Sequence, residues 1–88
     1  MAETTVEVIN KAGLHARAAA KLAELSGRFA SDIKVGHEKM VDGKSILSLM
    51  MLAAVKGTTL TIVTKGPDED EALSAIVELV NNRFDEAE

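Results

Sequence analysis

The sequence predicts an α+β fold in two layers, an antiparallel sheet with helices on one face, on three observations. Strand-like segments alternate apolar with polar residues, so each has one buried side and one wet side. Helix-like segments carry a single apolar stripe, which places them on a surface and not through the middle of a core. The two periods succeed one another in the order βαββαβα, with no repeat, linker or shift of composition between them, so residues 1–88 read as one domain.

The first strand spans residues 4–9, where Val6 and Val8 alternate with Thr5 and Glu7, and the chain breaks at Gly13. From Ala16 to Ser26 the period turns helical. Ala18, Leu22 and Leu25, with Phe29 past the end, form one stripe; Arg17, Lys21, Glu24 and Arg28 form the other, and Gly27 stops the helix. Ile33 and Val35 alternate with Asp32 and Lys34, then a Gly36-His37-Glu38 turn leads into residues 39–41, completing a short hairpin. Ser45 is a good N-cap for the apolar segment 46–55, whose first half suits a short helix ended by Lys56 and Gly57. In residues 58–64 Leu60 and Ile62 alternate with threonines, a strand closed by Gly66-Pro67. Residues 68–71 then place four acids in a first helical turn, where the helix dipole favours them. Leu73, Ile76, Val77, Val80 and Phe84 supply the buried stripe of this last, long helix, which ends in a frayed acidic tail.

Composition excludes several functions. With no cysteine there is no disulfide framework and no thiolate chemistry, and the reducing cytoplasm is the expected location. The N-terminus lacks the basic and apolar regions of a signal peptide, and no apolar run approaches the roughly 20 residues that cross a bilayer, so no membrane insertion is expected. A net charge of −4, and only two phenylalanines as aromatics, argue against nucleic acid as a partner.

The chemistry concentrates in Gly13-Leu14-His15-Ala16-Arg17-Ala18-Ala19. If Ala16 opens the helix, His15 is its cap, and the free N–H groups of Ala16, Arg17 and Ala18 face whatever the imidazole carries. A neutral imidazole has a nucleophilic lone pair, and Arg17 adds a permanently charged planar fork suited to phosphoryl oxygens. Reversible phosphorylation of a ring nitrogen is the chemistry implied. The plainer alternative is a histidine that only caps a helix.

The stretch Gly13-Leu14-His15-Ala16-Arg17-x-Ala19 resembles the active-site segment of the HPr family, the histidine-phosphorylated carriers of the bacterial phosphoenolpyruvate-dependent phosphotransferase system. Gly43-Lys44-Ser45-Ile46-Leu47, residues 49–57 with Thr61-Ile62, and Gly66-Pro67-Asp68-Glu69-Asp70-Glu71-Ala72-Leu73 extend the resemblance over nearly the whole chain. It implies an open-faced β-sandwich, four antiparallel strands with three helices on one face. It further implies a phosphoryl group on Nδ1 of His15 steadied by Arg17, and a monomeric, stoichiometric carrier, not an enzyme, in sugar transport or a nitrogen-related branch. Enzyme I is the implied donor and enzyme IIA components are the implied acceptors. Two positions depart: Ala18 stands where the family usually has proline, and Ala12 where it has a small polar residue.

Ser45 is a helix cap on structural grounds, and the resemblance adds regulatory phosphorylation by an HPr kinase/phosphorylase. Gly43-Lys44-Ser45 is no P-loop, because Glu38 stands where that motif needs glycine. A short helix cannot bury all of Ile46, Leu47, Leu49, Met50, Met51 and Leu52. By resemblance Ile46, Leu47 and Met50 form a docking patch, leaving Leu49 and Leu52 for the core. His37 reads as a solvated turn residue without a metal, and no cofactor is implied. Asp85, Glu86 and Glu88 read as a solvated end, from which a carboxylate could meet Arg17 when no phosphate is bound. The competing hypothesis is a regulatory binding protein acting through Ser45 and the apolar second helix with His15 idle; a small metabolic enzyme is disfavoured by the lack of an enclosed acid–base constellation.

Overall fold

The computed structural model describes residues 1–86. In chain order the elements are β1 (Ala2–Glu7), α1 (Ala16–Ser26), β2 (Asp32–Gly36), β3 (Met40–Asp42), α2 (Ile46–Met51), β4 (Thr59–Lys65) and α3 (Glu69–Asn81). A one-turn segment, Arg83–Asp85, follows α3. The four strands form one antiparallel sheet in the order β1-β4-β2-β3, open on one face and covered on the other by the three helices. Pairing Val6 with Leu60 and Val35 with Ile62 puts the alternating apolar residues of three strands on the same side.

On that side the side chains of Val8, Leu22, Ile33, Leu49, Ile62, Ile76, Val80 and Phe84 meet in one core. α3 packs across β1 and β4, and α1 packs against both α2 and α3. The first strand begins two residues earlier than the alternation indicates, because Ala2 and Glu3 find partners in Thr64 and Val63. Thr64 lies on the buried side of β4, where its hydroxyl donates to the Glu69 carbonyl at 2.8 Å and so needs no water.

Two expectations are corrected. Leu52 is only half-buried: α2 ends before it, so it packs at the edge of the core while Leu49 is fully enclosed. Phe84 is buried, but not as part of the α3 stripe, since the helix ends at Asn81 and Arg83, Phe84 and Asp85 turn left-handed with φ of 55°, 53° and 63°. The tail is therefore folded back onto the molecule at least to Glu86, and Glu88 lies outside the described residues.

Candidate functional site

The position of His15 is set from both sides. Gly13 has φ +70°, and a Cβ there would come within 2.5 Å of the Ala54 carbonyl oxygen, so only glycine lets the loop pass this close to the segment after α2. Leu14 is buried and its N–H donates to Ala54 O at 2.8 Å. One residue later His15 is extended (φ −85°, ψ −176°), and its carbonyl accepts the first helical bond, from Ala19 N–H at 2.8 Å. It is the N-cap of α1, as its place before Ala16 predicts.

Both ring nitrogens have partners. The Arg17 N–H donates to Nδ1 at 3.2 Å, which leaves the lone pair there and the proton on Nε2. Nε2 in turn lies 2.6 Å from Glu86 Oε2, a charge-assisted contact between residues 71 positions apart. The other carboxylate oxygen accepts from Asn10 Nδ2 at 2.9 Å, and the same amide reaches the Gly13 carbonyl at 2.8 Å, so the buried Asn10 ties the loop to the tail. The Asn10 bond, then the His15 bond, hold the Glu86 carboxyl below the usual carboxylate range, and the Arg17 charge adds to this.

Around this pair opens a hollow of about 790 Å³, lined by the basic Lys11, Arg17 and Lys21 and the acidic Asp85 and Glu86, with Ala12 contributing only a methyl group. The Arg17 side chain is exposed and makes no hydrogen bond or ion pair within the described residues; the carboxylate expected to meet it is on His15 instead. Ala18 is fully buried, yet its N–H, third in the helix, has no acceptor among the described residues. Of the first turn Arg17 lines the hollow, so the hollow opens at the helix N-terminus, where an anion would be favoured.

At the second helix entrance Ser45 Oγ accepts from Ser48 N–H at 3.2 Å. Ile46, Leu47 and Met50 are 46%, 69% and 41% exposed, while Leu49 is enclosed, as the division of this segment predicts. Met51 and Val55 are exposed as well, and Val55 lies against Gly13, which extends the apolar surface toward the His15 loop. His37 is exposed, and its Nε2 lies 3.1 Å from the carbonyl of Leu52, which follows the end of α2. Sequence reasoning missed Asn10, and it aimed a tail carboxylate at Arg17 where the structure sets Glu86 on the His15 ring. No local signal could have joined residues 76 positions apart.

A half-exposed imidazole with its lone pair among helix amides and no enclosed acid–base machinery around it fits a protein that carries a phosphoryl group between other proteins. The known relatives agree. The chain matches the family model described as "PTS HPr component phosphorylation site" over residues 2–82. It is 59% identical over 85 residues to the phosphocarrier protein HPr of Pseudomonas aeruginosa, with 94% of each chain covered. It is 48% identical over 86 residues to the phosphocarrier protein NPr of Shewanella violacea, covering 97% of this chain and 94% of that one. Its structure superposes on the crystal structure of HPr-C-His from Thermoanaerobacter tengcongensis with a TM-score of 0.95 and 39% identity, over 100% of both chains. The chain belongs to the HPr family and is a phosphocarrier of the phosphotransferase system; the reading as a regulatory binding protein with an idle histidine is not favoured.

Proposed function

We propose that the carrier holds its phosphoryl group on Nδ1 of His15, taking it from a phosphohistidine of enzyme I and passing it to enzyme IIA components. The observation that carries this reading is the pair of ring contacts: Arg17 N–H on Nδ1 and Glu86 on Nε2 leave the nucleophilic lone pair at the mouth of α1. When Nδ1 bonds phosphorus, the Arg17 N–H loses its acceptor and gains the phosphoryl oxygens in its place. The Ala18 and Ala16 N–H groups lie on the same turn, and the Arg17 guanidinium, with no hydrogen bond or ion pair among the described residues, can close on the equatorial oxygens.

The remaining assignments follow from the same reading. Ile46, Leu47 and Met50 dock the partners, because an apolar patch left exposed next to a polar site is what transient recognition uses. Ser45 is a substrate for an HPr kinase/phosphorylase where one is present, and a phosphate there would burden the same docking surface with charge. The protein works as a monomer and a single HPr domain, residues 1–88, in the cytoplasm, as a stoichiometric substrate and not an enzyme. No helix among the described residues is long and apolar enough to cross a membrane. Relatives named HPr and NPr both match over nearly the whole chain, so the sugar branch and the nitrogen-related branch both fit this carrier.

NMR of isotope-labelled protein phosphorylated with phosphoenolpyruvate and enzyme I tests the reading. The expected result is phosphorus coupling to His15 Nδ1, with the Arg17 and Ala18 amide protons moving strongly downfield. Coupling to Nε2, or unmoved amides, would contradict it.

A further inference from the structure

We infer that Glu86 is a positioning residue for phosphoryl transfer, set over His15 by the left-handed turn at residues 83–85: it holds the proton on Nε2 and offsets the charge that the ring acquires when Nδ1 bonds phosphorus. This inference rests on the reading of His15 as the acceptor. Its basis is a tail built with care and not left to fray. Three successive residues that are not glycine, Arg83, Phe84 and Asp85, adopt positive φ. L-residues take that conformation at a cost and keep it only where the surroundings dictate it.

Here they do. Phe84 is fully buried in the core, Lys21 Nζ donates to its carbonyl at 3.0 Å, and Asn82 Nδ2 donates to Asp85 Oδ1 at 2.7 Å. The turn delivers one side chain to the site. Glu86 meets Nε2 at 2.6 Å, and Asn10 fixes the second carboxylate oxygen so that the acid cannot swing away toward Arg17. Ala12, in the same hollow, has nothing with which to hold the ring.

The chemistry assigns the carboxylate its role. In the accepting step the Nδ1 lone pair forms the new N–P bond, while the bond between phosphorus and the donor's phosphohistidine nitrogen breaks and its electron pair returns to the donor ring. No proton leaves His15. The ring passes from neutral to cationic with Nε2–H in place, and the anionic Glu86 compensates that charge through the hydrogen bond. In the donating step the N–P electrons return to Nδ1 and His15 departs as neutral imidazole, because Glu86 has kept the proton on Nε2 throughout. Glu86 touches no reacting atom and acts entirely through His15.

Glu86→Gln keeps the size and an oxygen acceptor but removes the charge; Glu86→Asp keeps the charge on a shorter arm. Both are compared with the parent protein in steady-state transfer from phosphorylated enzyme I, and by proton and nitrogen NMR of His15. The Gln variant is expected to lower kcat about ten- to a hundredfold with KM unchanged, to lose the low-field Nε2 proton signal, and still to carry its phosphate on His15; the Asp variant recovers part of the rate. A Gln variant phosphorylated on His15 at the parental kcat overturns the inference while leaving His15 as the acceptor. So does one that loses thermal stability with kcat unchanged. Phosphorylation of His15→Ala by the same donor would instead overturn the reading on which the inference rests.

Discussion

The entrances of α1 and α2 are built alike and serve different ends. Each begins with an extended cap whose side chain accepts a backbone N–H at 3.2 Å: His15 from Arg17, Ser45 from Ser48. What differs is what the rest of the chain brings there. α1 is 11 residues long, its cap has a second nitrogen held by Glu86, which Asn10 holds in turn, and three cations line the hollow before it. α2 is six residues long and surrounds its cap with exposed Ile46, Leu47 and Met50. A helix cap by itself is only structure. It acquires chemistry where distant residues control its protonation and charge, and recognition where the helix behind it cannot bury its apolar side chains.

The comparison breaks most visibly at α2 if inside and outside have been confused. Leu49→Ala should cost about 2–5 kcal/mol, since it opens a cavity in a closed core, whereas Ile46→Glu and Met50→Glu should stay within about 0.5 kcal/mol of the parent protein. Thermal melts read this directly, and the two charged variants should bind phosphoryl partners more weakly. Room-temperature unfolding of the Ile46 variant would assign that residue to the core. At the α1 entrance Arg17→Ala should slow transfer roughly ten- to a hundredfold without moving the melt, the worth of about 1.5–3 kcal/mol for hydrogen bonds to a charged group. A lower melting temperature with unchanged transfer would make Arg17 structural.

Ser45→Ala should remove about 1 kcal/mol of stability through the lost cap and leave the transfer rate on His15 alone. A slowed transfer would mean that the two entrances are coupled. The third entrance sharpens the comparison with the smallest effect. Asp68 precedes α3 but bonds Ser31 and the Ala30 and Ser31 amides instead of its own helix, and chiefly the Ser31 hydroxyl, then the Ala30 amide, lower its pKa from the ordinary 3.8. A carboxyl lowered in the folded state stabilises fully above its unfolded pKa and loses that contribution as pH falls through the folded value. Melting temperatures of the parent protein should therefore fall below about pH 4 more steeply than those of Asp68→Asn. Parallel curves would show that the Asp68 ties add no stability.

Much of this was legible in the sequence, for identifiable reasons. Period two marks β1, β2 and β4 and period 3.6 marks α1 and α3, while β3 was placed by the hairpin turn and α2 by its cap; the bounds of α1 coincide with the stripe from Ala16 to Ser26, and His15 is placed by the glycine and helix that flank it. Ser45 was legible as a cap by its residue type; that part of α2 must stay exposed followed from the surplus of apolar residues, and the resemblance indicated which ones. The tail was not legible. A positive-φ turn without glycine leaves no local signature, and Phe84 fits the helical spacing of α3 while belonging to a different turn. Asn10 and Glu86 each look like ordinary polar residues until the fold brings them together, so the tautomer of His15 is a tertiary fact.

The central claim is that a helix entrance, and not histidine as such, makes the phosphoryl acceptor, and the chain contains its own control. His37 is more exposed than the half-buried His15, and it bonds the Leu52 carbonyl after the end of α2 instead of the amides of a helix first turn. Incubating the parent protein, His15→Ala and His37→Ala with phosphoenolpyruvate and enzyme I, and measuring acid-labile, base-stable phosphate per chain, separates the two residues. The parent protein and His37→Ala should each take one phosphate while His15→Ala, still folded, takes none; phosphate on His15→Ala would contradict the account.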